Sequence, residues 1–254
     1  MSYLIAVTGK GGAGKTTLSA LLIWRLAVRG KAPVLAVDAD PNTCLDAALG
    51  LRVEKTVGRI REEAREASRK GLSSGISKQQ LLELKIAESL VEADNFDLIA
   101  MGRPEGPGCY CYANNVLSSI LRQISAEYPY VVLDNEAGLE NLSRRIVQKV
   151  DLLILVTDPS QRGLETVVRL HALANEMKIV YARLAIVVNR LRHHSAVPEV
   201  LHQLRQKVSA DFVVPLAEDD QLAAFGESGA NLMKLPTDNA VVARIDEFLL
   251  QLGL

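Results

Sequence analysis

Short apolar runs recur along the chain, and each is followed by a Gly, Asp or Asn turn and then by a helical pattern. Their Val, Ile and Leu residues are continuous, which is typical of strands buried on both faces of a parallel sheet. We predict strands at 3–9, 33–40, 96–102, 130–136, 152–158, 184–190 and 211–216, and helices at 16–29, 139–150, 162–177 and 197–208. This alternation predicts an α/β fold with a single doubly wound, mostly parallel sheet flanked by helices, with ligands at the carboxyl ends of its strands.

One segment interrupts the alternation. From 53 to 94 the chain has no clear strand and is rich in charged residues with helical spacing, as in "RIREEAREASRK". Such a pattern is typical of solvated surface helices. We therefore predict one domain, 1–254, with a charged helical insert at about 53–94.

Amino-acid composition limits the cellular compartment and the classes of binding partner that we expect. The net charge of −1 provides no general attraction to nucleic acid or to an anionic membrane, so neither is expected as a partner. Three cysteines cannot form a disulfide framework and suit a reducing compartment. The first residues lack the charged and apolar regions of a signal peptide. We expect a cytoplasmic protein.

The stretch "GKGGAGKTT" (9–17) fits G-x-x-x-x-G-K-[ST] between a predicted strand and a predicted helix. Glycines there let successive N–H groups and the helix start surround a phosphate chain. Lys15 would reach the β- and γ-phosphates, Thr16 would bind Mg²⁺, and Thr17 would contact the α-phosphate. The predicted ligands are ATP or ADP with Mg²⁺, bound by Gly9, Gly11, Gly12, Ala13, Gly14, Lys15, Thr16 and Thr17.

Two further strand ends carry carboxylates. "VDADPN" (37–42) places Asp38 and Asp40 on one face, and a carboxylate there can align water for in-line attack on a γ-phosphate. "VVLDNEAG" (131–138) ends in Asp134, the Walker-B position that holds Mg²⁺ through water, and Gly138 suits a switch that senses the γ-phosphate.

With a second lysine, Lys10, the loop resembles the deviant-Walker-A P-loop ATPases, a MinD-type class that includes nitrogenase iron protein and the Min and Par ATPases. The resemblance implies that Lys10 crosses a homodimer interface to the partner's phosphates. It also implies that Asp40 aligns the attacking water and that Asp38 supports the Mg²⁺ network. Lys10, Lys15 and Asp40 are thus the expected catalytic residues, and Asn189 and the loop after Pro215 are expected to recognise adenine.

A pair of cysteines, Cys109 and Cys111, lies in the Gly/Pro-flanked stretch "GPGCYCYANN". Thiolates are soft ligands, but a C-x-C pair supplies only two of the usual four. A loop near a two-fold axis meets its own copy, so a dimer would complete a four-sulfur site for Ni²⁺ or Zn²⁺. A redox-sensitive pair and two packed, inert thiols are the alternatives.

The stretches "MGRPEGPGCYCYANN" and "DNEAGLENLSRR" resemble the CO dehydrogenase maturation ATPases of the CooC type. The resemblance implies nickel loading of a carbon monoxide dehydrogenase or acetyl-CoA synthase client, with ATP hydrolysis and a dimer that depends on nucleotide and metal. Two alternatives remain: a MinD- or ParA-like positioning ATPase, and an Fe–S electron donor like nitrogenase iron protein. The electron donors have a second cysteine after the Walker-B strand, where this chain has "DNEAG".

Overall fold

The computed structural model describes residues 2–60, 63, 88–103, 117–118, 121, 124–139, 149–192 and 197–254. Within these residues, eight strands form one sheet: β1 Tyr3–Gly9, β2 Val34–Asp38, β3 Val91–Glu92, β4 Phe96–Ala100, β5 Tyr130–Asp134, β6 Val150–Thr157, β7 Tyr181–Leu191 and β8 Phe212–Ala217. Their order is β3-β4-β2-β5-β1-β6-β7-β8, and all neighbours are parallel except β3 and β4. The predicted fold class is confirmed.

Helices cover both faces of the sheet. The helices whose two ends are both described are α1 Lys15–Val28, α2 Leu45–Ala48, α3 Gln161–Glu176, α4 Val197–Lys207, α5 Asp220–Ser228 and α6 Ala240–Leu252, with 3-10 turns at Ser125–Glu127 and Leu232–Lys234. Side chains of α1 and α6 share one apolar core with one face of the strands, and those of α3 and α4 share a second core with the other face. Burial of both strand faces explains why the strands lack polar alternation.

Two predicted boundaries need correction. Val150 was predicted to end a helix, but it begins β6 and pairs with Tyr181, while residues 140–148 lie outside the described part. Val91 and Glu92 were predicted to lack strand structure, but they pair antiparallel with Leu98 and Asp97 at the edge of the sheet. Two residues are too few to show a period in the sequence. The described residues 57–60 of the charged insert are helical, and 61–62 and 64–87 lie outside the description.

The topology places the site at β1. The chain passes from β1 to β2 on one side and, after β5, crosses to β6 on the other side of β1. This reversal of direction creates a crevice at the carboxyl end of β1, where doubly wound sheets bind their ligands. The sequence "GKGGAGKTT" leaves the sheet at this crevice.

Candidate nucleotide-binding site

The loop between β1 and α1 leaves the start of the helix open. The Ala13 N–H donates to the Lys10 carbonyl at 3.3 Å, and Gly14 is the N-cap residue with a left-handed backbone of φ 95° and ψ 30°. No side chain caps α1, and its first turn holds no acidic residue. The N–H groups at the start of this 14-residue helix are therefore free of side-chain acceptors and suited to a phosphate.

Asn189 supports this loop from β7. Its Nδ2 donates to the Ala13 carbonyl at 2.9 Å, and its Oδ1 accepts from the Arg190 N–H at 3.0 Å. A Cβ at position 14 would lie 2.5 Å from Asn189 Nδ2, so Gly14 is required by close approach as well as by its φ. Adenine recognition by Asn189 remains a prediction, and its amide here is bonded to backbone groups.

Pro215 lies inside β8, as the predicted strand at 211–216 implies, and pairs with Val188. Its side chain lines a cavity of about 380 Å³ with residues of β7, β8, α4 and α6. A second cavity of about 420 Å³ is lined by Asp158, Pro159, Ser160, Arg190, Leu191, Arg192 and Glu218. Both volumes fall in the range of small-molecule sites. Contact of Pro215 with adenine remains a prediction.

The two lysines of the loop have different partners. Lys15 Nζ lies 3.4 Å from the Lys10 carbonyl oxygen, over the loop. Lys10 Nζ donates to Asp158 Oδ2 at 2.5 Å, and the two side chains are 31% and 26% exposed. Burial would raise the pKa of Asp158, but hydrogen bonds from Lys10 and Ser160 hold it below its ordinary value. Lys10 and Asp158 thus form an ion pair within one chain.

Asp158 also reaches the start of α3. Its Oδ1 accepts from the Ser160 N–H at 3.0 Å and from the Ser160 hydroxyl, and Ser160 caps α3 by accepting from the Gly163 N–H at 3.1 Å. The sequence analysis missed Asp158. The available signal was "TDPS", in which a strand end is followed by Pro and a helix-capping Ser.

Asp134 and Asp38 lie side by side on neighbouring strands. They are paired in register between β5 and β2, and both are fully buried. Asp134 accepts from the Ser19 hydroxyl at 2.9 Å. Burial and then the Asp38 charge raise the pKa of Asp134 to about 7, although hydrogen bonds from Thr16 and Ser19 and the charge of Lys15 oppose the rise. Ser19, two residues after the motif, is a second residue of the site that was not predicted.

Asp38 holds the backbone that follows β2. Its oxygens accept from the N–H groups of Asp40 at 3.0 Å, Cys44 at 2.9 Å and Leu45 at 3.0 Å. Burial raises its pKa to about 6, and these three bonds limit the rise. Asp38 therefore fixes the turn that carries Asp40, and its predicted support of Mg²⁺ remains a prediction.

The residues of this site fit Mg²⁺. Thr16 and Lys15 lie close enough to Asp134 for both to lower the pKa of its carboxyl group. Mg²⁺ prefers such oxygen donors and is usually held by one or two carboxylates, waters and substrate phosphates. A cation here would also compensate the burial of two neighbouring carboxylates.

Removing the charge of Asp134 should change how stability depends on pH. An acid whose pKa rises from 3.8 to about 7 on folding destabilises the fold as pH increases through that window. We expect Asp134→Asn, which keeps an acceptor for Ser19, to gain on the order of 2–4 kcal/mol at pH 8 relative to wild type and less than about 1 kcal/mol at pH 4. Urea unfolding of both proteins at several pH values, without Mg²⁺ or nucleotide, measures this difference.

Asp211→Asn is the matched control, because Asp211 accepts from the Leu184 N–H at 2.7 Å at the opposite end of the sheet. Asp211→Asn should show the same dependence of the free energy of unfolding on pH as wild type. If the free energy of unfolding changes with pH in the same way in Asp134→Asn and in wild type, the raised pKa of Asp134 in the folded protein is contradicted.

The predicted cysteine site lies outside the described residues, which exclude 104–116 and with them Cys109 and Cys111. Within the described ranges, no group of three or more His, Cys, Asp or Glu side chains could hold a metal ion. The described cysteine, Cys44, is exposed, and burial and then the Asp38 charge raise its pKa. Metal binding by Cys109 and Cys111 stays a prediction.

The helix start, the lysines and the buried carboxylates together define a P-loop nucleotide-binding protein. A family model described as an AAA domain matches residues 2–186, so the chain belongs to that family, the ParA/MinD-like P-loop ATPases. A ParA family ATPase from Chlorobium tepidum has the same fold, with a TM-score of 0.73 and 19% identity over 98% of this chain and 99% of that one.

Two curated relatives are closer in sequence. An uncharacterized ATP-binding protein of Methanocaldococcus jannaschii is 41% identical over 245 residues, which are 96% of each chain. The carbon monoxide dehydrogenase accessory protein CooC of Rhodospirillum rubrum is 33% identical over 187 residues, which are 69% of this chain and 70% of the relative. Among the described residues, no helix combines the length and apolar character needed to cross a membrane.

Proposed function

We propose that this chain is a Mg²⁺-dependent ATPase that works as a homodimer and delivers nickel to a carbon monoxide dehydrogenase or acetyl-CoA synthase. The observation that carries the proposal is the C-x-C pair after β4 in a chain 33% identical to a carbon monoxide dehydrogenase accessory protein. Nickel is the cargo of this reaction, and Zn²⁺ can occupy the same soft site.

Phosphate binding begins with the open start of α1. The N–H groups of residues 11, 12, 14 and 15 and the Lys15 ammonium would hold the triphosphate, and Lys15 would move from the Lys10 carbonyl to the β- and γ-phosphates. Thr16 and Asp134 would hold Mg²⁺, which neutralises phosphate charge when bound. Thr17 follows on the same helix and would contact the α-phosphate.

Hydrolysis would use Asp40. Its backbone N–H is fixed by Asp38 at 3.0 Å, and its side chain is partly exposed at the same edge of the sheet as the loop. A carboxylate in this place can orient water for in-line attack. Lys10 would leave Asp158 and bind the phosphates of the nucleotide held by the partner chain. Hydrolysis would then depend on dimerisation.

Dimerisation would also assemble the cargo site. Each chain contributes the thiolates of Cys109 and Cys111, so two chains provide the four soft ligands that such an ion takes. Nucleotide-dependent closing or opening of the dimer would then raise or lower the affinity for nickel.

The decisive experiment is an anaerobic titration of the full chain with Ni²⁺ or Zn²⁺, combined with sizing, in ADP and in a non-hydrolysable ATP analogue. We expect one ion per dimer for wild type and loss of stoichiometric binding in Cys109→Ser and Cys111→Ser, with ATP binding retained. Cys44→Ser is the matched control and should bind metal as wild type does.

Full metal binding by the Cys109→Ser/Cys111→Ser double variant would overturn the metallochaperone proposal. Wild type that binds no metal but co-sediments with DNA or anionic vesicles in ATP would instead support a positioning ATPase. A brown sample that dithionite bleaches would support the Fe–S electron donor.

A further inference from the structure

The Asp40 carboxylate is held by the side chain of Asn42. Asp40 Oδ1 accepts from the Asn42 backbone N–H at 2.8 Å and from Asn42 Nδ2 at 3.0 Å. Two donors on one oxygen fix the plane of the carboxylate. The direction in which Asp40 presents its other oxygen thus depends on the orientation of the Asn42 amide.

Arg103 sets that orientation from the end of β4. Its Nη2 donates to Asn42 Oδ1 at 2.5 Å. A guanidinium is a donor only, so a flipped amide would place its NH₂ group against another donor and its carbonyl against the Asp40 carboxylate. The guanidinium therefore favours the one amide orientation in which Nδ2 faces Asp40.

The backbone brings Arg103 to this place. The Met101 N–H donates to the Asp38 carbonyl at 2.8 Å, which extends the pairing of β2 and β4, and the Met101 carbonyl accepts from the Gly58 N–H at 2.9 Å. Gly102 then turns the chain with φ 63°, and a Cβ there would lie 2.4 Å from Thr56. The turn before Arg103 is thus defined by its packing and tolerates only glycine.

These contacts contribute little to folding stability. Asn42 and Arg103 are exposed, and exposed charged contacts typically contribute about 0–1 kcal/mol. Misplacement of a reacting group by 1 Å can lower a rate by about a hundredfold. Loss of the Arg103 contact should therefore affect catalysis far more than the fold.

We propose that Arg103 is a positioning residue for ATP hydrolysis, which orients Asp40 through Asn42. This inference rests on the ATPase activity in the proposed function. Cys109 follows Arg103 by six residues in the sequence. The proposed role of Arg103 would therefore join the segment that leads to the cysteine pair to Asp40, the residue proposed to align water.

The test is steady-state ATP hydrolysis by the full chain with Mg²⁺. We expect Arg103→Ala to lower kcat about tenfold with KM for ATP within about twofold, and Arg103→Lys to recover part of the loss. Because Arg103 acts through Asn42, Arg103→Ala/Asn42→Ala should be no slower than Asn42→Ala alone. Arg169→Ala, which removes an exposed arginine paired with Glu165 on α3, is the control and should match wild type.

An active wild type with unchanged kcat in Arg103→Ala would overturn this inference and leave the proposed function standing. Losses that multiply in the double variant would also overturn it, because they require independent roles. Wild-type hydrolysis no faster than that of Lys15→Ala would overturn the proposed ATPase and this inference together. Thermal unfolding of each variant separates a loss of kcat from a loss of folded protein.

Discussion

Asp40→Ala is expected to lower kcat for ATP hydrolysis by a factor of roughly 100–1,000 while ATP affinity stays close to that of wild type. The carboxylate follows β2, where the Asp38 side chain fixes its backbone and Asn42 fixes its Oδ1. Its proposed role is on the attacking water, whereas the β1–α1 loop is proposed to hold the phosphates, so ATP affinity should change little. Phosphate release under saturating Mg·ATP, with a separate nucleotide titration, measures both quantities.

Asp94→Ala is a suitable control for this experiment, because Asp94 is exposed in the turn between β3 and β4. It should hydrolyse ATP at the wild-type rate. Asp40→Asn retains an acceptor for Asn42 and should still be slow, because it lacks the negative charge. If Asp40→Ala hydrolyses ATP at a rate within about fivefold of wild type, another residue must align the attacking water.

Lys10→Ala is expected to abolish dimerisation in a non-hydrolysable ATP analogue and to reduce hydrolysis about a hundredfold or more. In the single chain the ammonium is paired with Asp158 at 2.5 Å, and under the proposed role of Lys10 this pair would have to open before the lysine could bind the partner's phosphates. Asp158→Asn removes the competing charge but keeps an acceptor for Ser160. We therefore expect it to shift the dimerisation constant in the opposite direction, by up to about tenfold.

Analytical ultracentrifugation over a range of protein concentrations, with ADP and with the ATP analogue, gives both dimerisation constants. Lys55→Ala is the matched control, since Lys55 forms an exposed ion pair with Glu88 at 2.8 Å. An unaltered dimer in Lys10→Ala would rule out a role across the interface. Weaker dimerisation of Asp158→Asn would show that the Asp158 pair supports the dimer rather than competing with it.

The sheet could be predicted because its strands are buried on both faces. That burial produces the continuous apolar runs that mark β1, β2 and β5 in the sequence. The edge strand Val91–Glu92 carries no such signal, since two residues suffice to pair with β4. The predicted boundary at Val150 was wrong because an apolar residue between a helical pattern and a strand is compatible with the end of the helix and with the start of the strand.

The site was predictable where one contiguous motif defines it. Lys15 and Thr16 stand in a motif whose spacing is set by the phosphate chain, whereas Asp158 meets Lys10 only through the order of the strands. Adenine recognition by Asn189 remains a prediction, but the support that its amide gives to the Ala13 carbonyl was not predicted. Contacts between residues more than 100 positions apart cannot be derived from local spacing.

The two borders of the sheet limit how two copies can associate. Among the described residues, one border is β3, only two residues long, and the other is β8, six residues long with Pro215 in it. Proline has no N–H, and such short or interrupted edges resist growth of a sheet by strand addition. A continuous intermolecular β-sheet is therefore disfavoured at these two borders, and the proposed homodimer would have to form through other surfaces, such as the loops at the carboxyl ends of the strands, where Lys10 and Asp40 lie.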